Sequence, residues 1–355
     1  MLSRLWGGGQ KKVLGLDIGA SAVRLVELSR NGDRHRLERF AVEKMPANAM
    51  SENDIKDIAA VASTVRRAFL RSGSKVGECA AAVSSSQVII KSITMPTDLS
   101  ENELEEQVKA EASQYIPYPM EEVSLDFSVG EPLGEGKETE VLLVASRSEN
   151  VDARVAVLEQ AGLNAAVIDV ETFALENAFQ LVGAQMTEAG AVHTVALINL
   201  GDATTTLVVL RDGKGIYSRD QMFGDVQLTE AVQQHYGLSR EQAEQARQNN
   251  DLPQDFEMEV LSSFRKAAAQ QASRLLQFFF SASGVSHVDR ILLSGECAKI
   301  PGIAETVTET TGIPVTVANP FSSMVLPSSI SPAELERESP AMMIACGLAL
   351  RSFDE

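Results

Sequence analysis

The 355-residue chain is 44% hydrophobic and 23% charged, the make-up of a soluble globular protein, and is long enough for two or more packed lobes. Its net charge of -18 excludes nucleic acid as a main partner, because affinity for phosphate backbones comes from Lys and Arg. Three widely spaced cysteines, Cys79, Cys297 and Cys346, exclude a disulfide framework and a zinc ribbon. With no signal-peptide core and no ~18-residue apolar run, a cytoplasmic protein without direct membrane insertion is expected.

Residues 1–12, with Gly7-Gly8-Gly9, predict a flexible leader. Val13 to Leu28 then predicts two strands around a tight turn, apolar Val13, Leu14, Leu16 and Ile18 preceding Gly19 and apolar Val23, Leu25, Val26 and Leu28 following it. Ser51 with Asp54 and Ser100 with Glu103 have the spacing of capping boxes and predict helix starts. From Glu101 to Glu140 there are twelve acids and two bases, a stretch suited to a basic partner. That acidic helix, Tyr115-Ile116-Pro117-Tyr118-Pro119 and strands flanking Gly134-Glu135-Gly136 form a segment, Pro96 to Val151, that reads as an insertion.

Ala196 to Leu210 repeats the first hairpin. Laying Asn199 over Asp17, an offset of 182 residues, superposes Gly201 on Gly19, Leu207 on Leu25, Val208 on Val26 and Leu210 on Leu28. Similarity at so long a period indicates a duplicated domain and an α/β protein with mixed sheets. Ser239 with Gln242 and Ser331 with Glu334, the latter followed by Pro332, predict further helix starts. Glu257 to Ser283 predicts one long helix with Phe278-Phe279-Phe280 in the core, and Ile291 to Gly302 a buried strand running through Gly295 into a helix.

A phosphate chain needs small residues at a turn, so that backbone N–H groups can approach it, and an acid nearby for the metal's water shell. Asp17-Ile18-Gly19-Ala20-Ser21-Ala22 meets that need, and the Gly295 corner can admit a flat base. The histidines His35, His193, His235 and His287 are scattered without metal-site spacing, and Ser84-Ser85-Ser86 lacks a nucleophile elbow.

The order of these motifs resembles the actin, Hsp70 and FtsA superfamily and, more narrowly, the PilM family of type IV pilus assembly. Carrying the resemblance are Leu14-Gly-Leu-Asp-Ile-Gly19, Glu111-Ala-Ser-Gln-Tyr-Ile-Pro-Tyr-Pro119 with Leu125-Asp-Phe127, Val167-Ile-Asp-Val-Glu171 and Ala345-Cys-Gly-Leu-Ala-Leu-Arg-Ser352. The resemblance implies an actin-like, duplicated two-domain fold: a first lobe over residues 13–192 with an FtsA-type inserted subdomain at about 80–160, a second over 193–330 with a helical part at about 224–284, and C-terminal helices, 331–355, returning to the first. It implies ATP and Mg2+ as ligands, with Gly19, Ala20, Ser21, Ala22, Gly201, Asp202 and Ala203 around the phosphates and Asp17 by the metal. Gly224, Glu244 and Arg247 would lie near the sugar, Gly295 and Ala298 near adenine. It implies, finally, a groove for the N-terminal cytoplasmic peptide of a PilN-like inner-membrane protein, contacts with other pilus assembly components and self-association, all at the cytoplasmic face of that membrane.

This sequence departs from the family pattern at three points: Asn199 stands where a second aspartate is usual, Phe223 precedes Gly224 in place of a glycine, and Glu296 replaces a glycine of the adenosine turn. Asn199 brings neither charge nor useful basicity to the catalytic position it shares with Asp17, so hydrolysis is expected to be slow at most. Two other readings share the fold. A sugar-kinase-type phosphotransferase needs a general base, and no acid beyond Asp17 and Asp202 is evident; an FtsA-like filament former needs an amphipathic membrane helix, for which Arg351 to Glu355 is short and acidic.

Overall fold

The computed structural model describes residues 12–354 apart from 33, 135, 187–191, 250 and 329, so Gly7-Gly8-Gly9 lies outside the described residues. The first half runs β1 (Leu14–Ile18), β2 (Ala22–Asn31), β3 (Arg34–Lys44), a short hairpin β4 (Met50–Ser51) and β5 (Asp54–Ile55), α1 (Ile58–Ser72), β6 (Glu78–Val83), β7 (Val88–Pro96), α2 (Glu101–Ala112), β8 (Val123–Leu133), β9 (Glu138–Arg147), α3 (Ser148–Ala161), β10 (Asn164–Val170) and α4 (Glu171–Met186). The second runs β11 (Thr194–Leu200), β12 (Thr204–Arg211), β13 (Lys214–Met222), α5 (Asp225–Tyr236), α6 (Arg240–Gln248), α7 (Ser262–Ser283), β14 (Arg290–Ser294), α8 (Ile303–Thr311), β15 (Val315–Val317), α9 (Pro332–Glu338) and α10 (Met343–Ala349).

The duplication extends to strand order and register. One sheet is ordered β10-β6-β1-β2-β3, and the other, β15-β14-β11-β12-β13, repeats it element for element. Asp17 faces Arg24 across the first hairpin and Asn199 faces Thr206 across the second, positions related by the same offset. The turns match as well: the Gly19 N–H donates to the Ala22 carbonyl at 3.0 Å, the Gly201 N–H to that of Thr204 at 3.1 Å.

Helices α4 and α10 lie between the two sheets. Ala174, Leu175, Ala178, Met343 and Leu348 share one apolar cluster with Val13 and Ala80 of the first sheet and Leu197, Val208 and Leu292 of the second. Helices α1 and α3 cover the outer face of the first sheet, α5, α7 and α8 that of the second. Strands covered on both faces carry continuous apolar runs, which is why Val195 to Leu200 shows no alternation. The middle layer is tight enough to require glycine. A Cβ on Gly347 of α10 would lie 1.8 Å from the Ala174 carbonyl oxygen, and one on Gly15 of β1 would lie 1.9 Å from that of Ala345.

A third sheet, β7-β9-β8, carries α2 on one face, with Ile93, Met95, Val141 and Leu143 packed against Val108 and Ala112. Ser100 and Glu103 form the expected capping box. The chain end is tied to β1 through Ser352, whose hydroxyl accepts from the Val13 N–H at 2.9 Å and donates to its carbonyl at 3.0 Å.

Three expectations need correction. Ser51 and Asp54 do not start a helix; they pair across the β4–β5 turn, in which Glu52 adopts a positive φ of 54°, and α1 is capped instead by Asp57, which accepts from the Ala60 N–H. Serine and an acid three apart suit a tight hairpin as well as a cap. The long helix opens with a π-helical turn, Glu257–Leu261, before α7. Of its phenylalanines only Phe279 is fully buried; Phe278 is partly exposed, with the Arg219 guanidinium 3.8 Å from its ring centre. Among the described residues no helix is long and apolar enough to cross a membrane.

Candidate functional site

The equivalent turns of the two hairpins, Gly19–Ser21 and Gly201–Ala203, meet at one cavity, closed below by the Gly295 corner and at the side by the start of α4. Asp17, Gly19, Ala20, Arg24, Asn53, Arg154, Glu171, Asn199, Gly201, Asp202, Ala203, Thr206, Gly295 and Glu296 are among its lining residues. The corner depends on glycine: Gly295 has φ of 95°, and a Cβ there would lie 2.3 Å from the Leu200 carbonyl oxygen. The Ser294 hydroxyl donates to Asn199 Oδ1 at 3.0 Å, fixing that amide beside the corner.

The turns touch. Asp202 accepts from the Ser21 N–H at 2.9 Å and from its hydroxyl at 2.6 Å. Asn53 donates to Thr204 Oγ1 at 2.9 Å. Arg24, 4% exposed, sits among three acids: Glu296 at 2.6 Å, Asp17 at 3.4 Å and Asp202 at 4.0 Å. Its Nε–H is buried without an acceptor. The free volume between the turns is only about 50 Å³, against ~300–1,000 Å³ for ordinary ligand pockets.

Burial dominates the electrostatics. It pushes Asp17 up to about 6 despite Arg24, and it raises Asp202 as well. Glu171 is pushed up to about 8 by burial and by Asp17, opposed by Arg154 and a hydrogen bond with Ser84. Burial works the same way on Glu296, yet Arg24 and Lys299 outweigh it and hold that carboxyl below its ordinary value. Arg154 is buried with its guanidinium on neutral oxygens, the Ala82 carbonyl at 2.6 Å and the Asn150 carbonyl at 3.0 Å.

The model of the family described as "Type IV pilus assembly protein PilM" matches residues 15–353. The chain belongs to the PilM family. A solved PilM–PilN type IV pilus biogenesis complex contains a chain of 28% identity, with 98% of this chain and 100% of that one covered at a TM-score of 0.83. The ethanolamine utilization protein EutJ from Carboxydothermus hydrogenoformans, at 15% identity and a TM-score of 0.56 over 95% of this chain and 89% of that one, shares the fold alone. The fold of this PilM-family chain is actin-like.

Of the residues singled out in the sequence, Asp17, Gly19, Ala20, Asn199, Gly201, Asp202, Ala203 and Gly295 converge on the cavity. Ser21 bridges to Asp202 beside it, and Ala22 begins β2 with its side chain buried. Of the sugar and base positions, Gly295 lines it, whereas Gly224, Glu244, Arg247 and Ala298 do not. Gly224 packs on the Gly201 and Asp202 carbonyls, and Ala298 is buried in the core of the second lobe. Arg247 is committed to Asp225 at 2.5 Å and Thr229 at 2.6 Å, while Glu244 pairs with Arg240 at 2.9 Å. Sequence reasoning missed Arg24, Arg154 and Glu171, and the absence of a further acid is thereby overturned. Arg24 was legible as a cation at a strand position whose neighbours Val23 and Leu25 are core, directly across from Asp17. Glu171 was visible only as the acid that follows the strand residues Val167-Ile-Asp-Val170.

Proposed function

We propose that this chain is an ATP-binding adaptor of type IV pilus assembly, held at the cytoplasmic face of the inner membrane by the N-terminal peptide of a PilN-like protein. The observation that carries the nucleotide reading is the buried Asp17–Arg24 pair facing Asp202 between two equivalent glycine turns. The residues fit such a ligand. Arg24 offers an N–H with no acceptor, which suits a phosphate oxygen, and Asp17 and Asp202 are hard carboxylate donors. Magnesium commonly takes one or two carboxylates together with substrate phosphates. When bound, magnesium–ATP supplies a phosphoryl group whose charge the metal neutralises.

The chain's own groups then divide the work. Arg24 orients phosphate oxygens, Asp17 orders the metal's water shell, and Asn199, fixed by Ser294, can hydrogen-bond a water without accepting its proton. Glu171, with its pKa at about 8, is mostly protonated at neutral pH and makes a poor base until a cation enters. Slow hydrolysis is the expected result. With only about 50 Å³ free between the turns, a triphosphate that favours a more open arrangement of them shifts the lobes toward it.

The peptide reading rests on the 28% identical relative solved with PilN and on the inserted sheet, where Tyr115 and Tyr118 are each 41% exposed beside the acidic α2. Lys91 and Arg147 lie over their rings at 5.2 and 5.3 Å. Titrating the N-terminal peptide of the PilN-like partner, with and without ATP, tests both halves. Binding whose affinity changes with ATP supports the adaptor; undetectable binding in both states refutes it. The kinase reading gains an acid in Glu171, and a coupled phosphorylation screen separates it.

A further inference from the structure

We propose that Glu296 sets the nucleotide affinity of this chain by competing with phosphate for Arg24, and that the same ion pair clamps the two lobes together. The inference rests on the nucleotide reading of the cavity. Arg24 belongs to β2 of the first sheet and Glu296 to the corner after β14 of the second, so their 2.6 Å pair spans the cleft. With a side chain 5% exposed, the guanidinium is largely shielded from solvent, which strengthens that pair.

The carboxylate is itself held in place. Lys299 contacts Glu296 Oε1 at 2.5 Å and Glu338 at 3.0 Å, while Arg24 takes Oε2, so charges alternate from Asp17 through Arg24, Glu296 and Lys299 to Glu338. The chain of pairs ends at the close of α9, where the Pro340 carbonyl accepts from the Gly295 N–H at 2.8 Å. A phosphate that takes Arg24 Nη2 from Glu296 therefore leaves Glu296 with Lys299 alone and removes that link between the lobes. At Arg24 Nη2 one charge-assisted hydrogen bond exchanges for another of similar kind, so that atom adds little to phosphate binding. With glutamine in place of Glu296 the competitor loses its charge and phosphate keeps the full interaction.

The test is calorimetric titration of ATP, with tripolyphosphate as a probe of the phosphate contacts alone, into the full chain and the variants Glu296→Gln, Glu338→Gln, Arg24→Gln and Arg24→Gln with Glu296→Gln. The expected result is roughly tenfold or more tighter binding by Glu296→Gln. Glu338→Gln should gain little, and the gain should vanish when Arg24 is also replaced. Faster hydrogen exchange at the Ser21 amide of Glu296→Gln, without ligand, is the expected mark of a loosened clamp. Equal or weaker binding by Glu296→Gln, while Arg24→Gln loses ATP, overturns this proposal and leaves the site reading standing. Wild-type ATP affinity in Arg24→Gln, or no ATP binding by any variant, overturns both.

Discussion

Replacing Glu171 by glutamine should stabilise the metal-free protein at alkaline pH and leave it almost unchanged in acid. The residue is half-buried at the cavity wall, and desolvation of its carboxyl raises the pKa from 4.5 to about 8. A folded value above the unfolded one means that the native state holds the proton more tightly, so the associated stability is complete below pH 4.5. It is lost progressively as pH climbs to about 8, where the wild type must bury a charge. At ~1.4 kcal/mol per pH unit the window corresponds to about 5 kcal/mol as a ceiling, and structural relaxation should leave roughly 2–4. With an unfolding entropy of ~2.1 cal/mol/K per residue, 1 kcal/mol moves the melting temperature of a chain this long by roughly 1–1.5 °C. Melting curves of wild type and Glu171→Gln from pH 5 to pH 9, in chelator, should therefore coincide at the acid end and separate by about 2–6 °C at the alkaline end, with the variant higher. A difference that does not change across the range would refute the argument, since it would mean that Glu171 does not titrate between the two states.

Gly347→Ala should destabilise by about 2 kcal/mol or more: the Cβ would lie 1.8 Å from a carbonyl oxygen, and the overlap outweighs the ~1 kcal/mol gain in helix propensity. Gly183→Ala, in α4 with nothing within 4 Å of the added carbon, should instead stabilise by roughly 0.5–1 kcal/mol, and thermal denaturation of the pair checks both signs. Arg351→Met removes the 2.7 Å partner of buried Asp169 and should cost about 3 kcal/mol at pH 7, read from the denaturant midpoint. Asp17→Ala should abolish magnesium-dependent ATP binding while circular dichroism stays native; unchanged affinity would show that the phosphate site has been misplaced.

The repeated hairpin was legible because it is local. Glycine turns, apolar strand positions and capping boxes depend on neighbours a few residues apart, and the duplication copies the turns and strand positions at one offset. Thus Asp17, Gly19, Asn199 and Gly201 could be placed from the sequence, and the register across both hairpins follows the offset that their residues indicate. Where a short pattern suits two structures, as Ser51 and Asp54 do, local reading chose the wrong one.

The electrostatics of the cleft depend on contacts between distant segments. Arg24 meets Glu296 across 272 residues and Ser21 meets Asp202 across 181, so neither contact is implied by any window of the chain. The departure at Glu296 could be seen in the sequence as an oddity, but its partner could not. Glu171 owes its raised pKa to desolvation at the cleft and to the nearby Asp17, a property of the assembled layers and not of the residue. Composition, periodicity and turn chemistry thus determined the elements and their duplication, because short-range sterics and hydrophobic patterning act along the chain. Which charges face one another, and how little room lies between them, was decided only by folding, because desolvation and Coulomb attraction act through space.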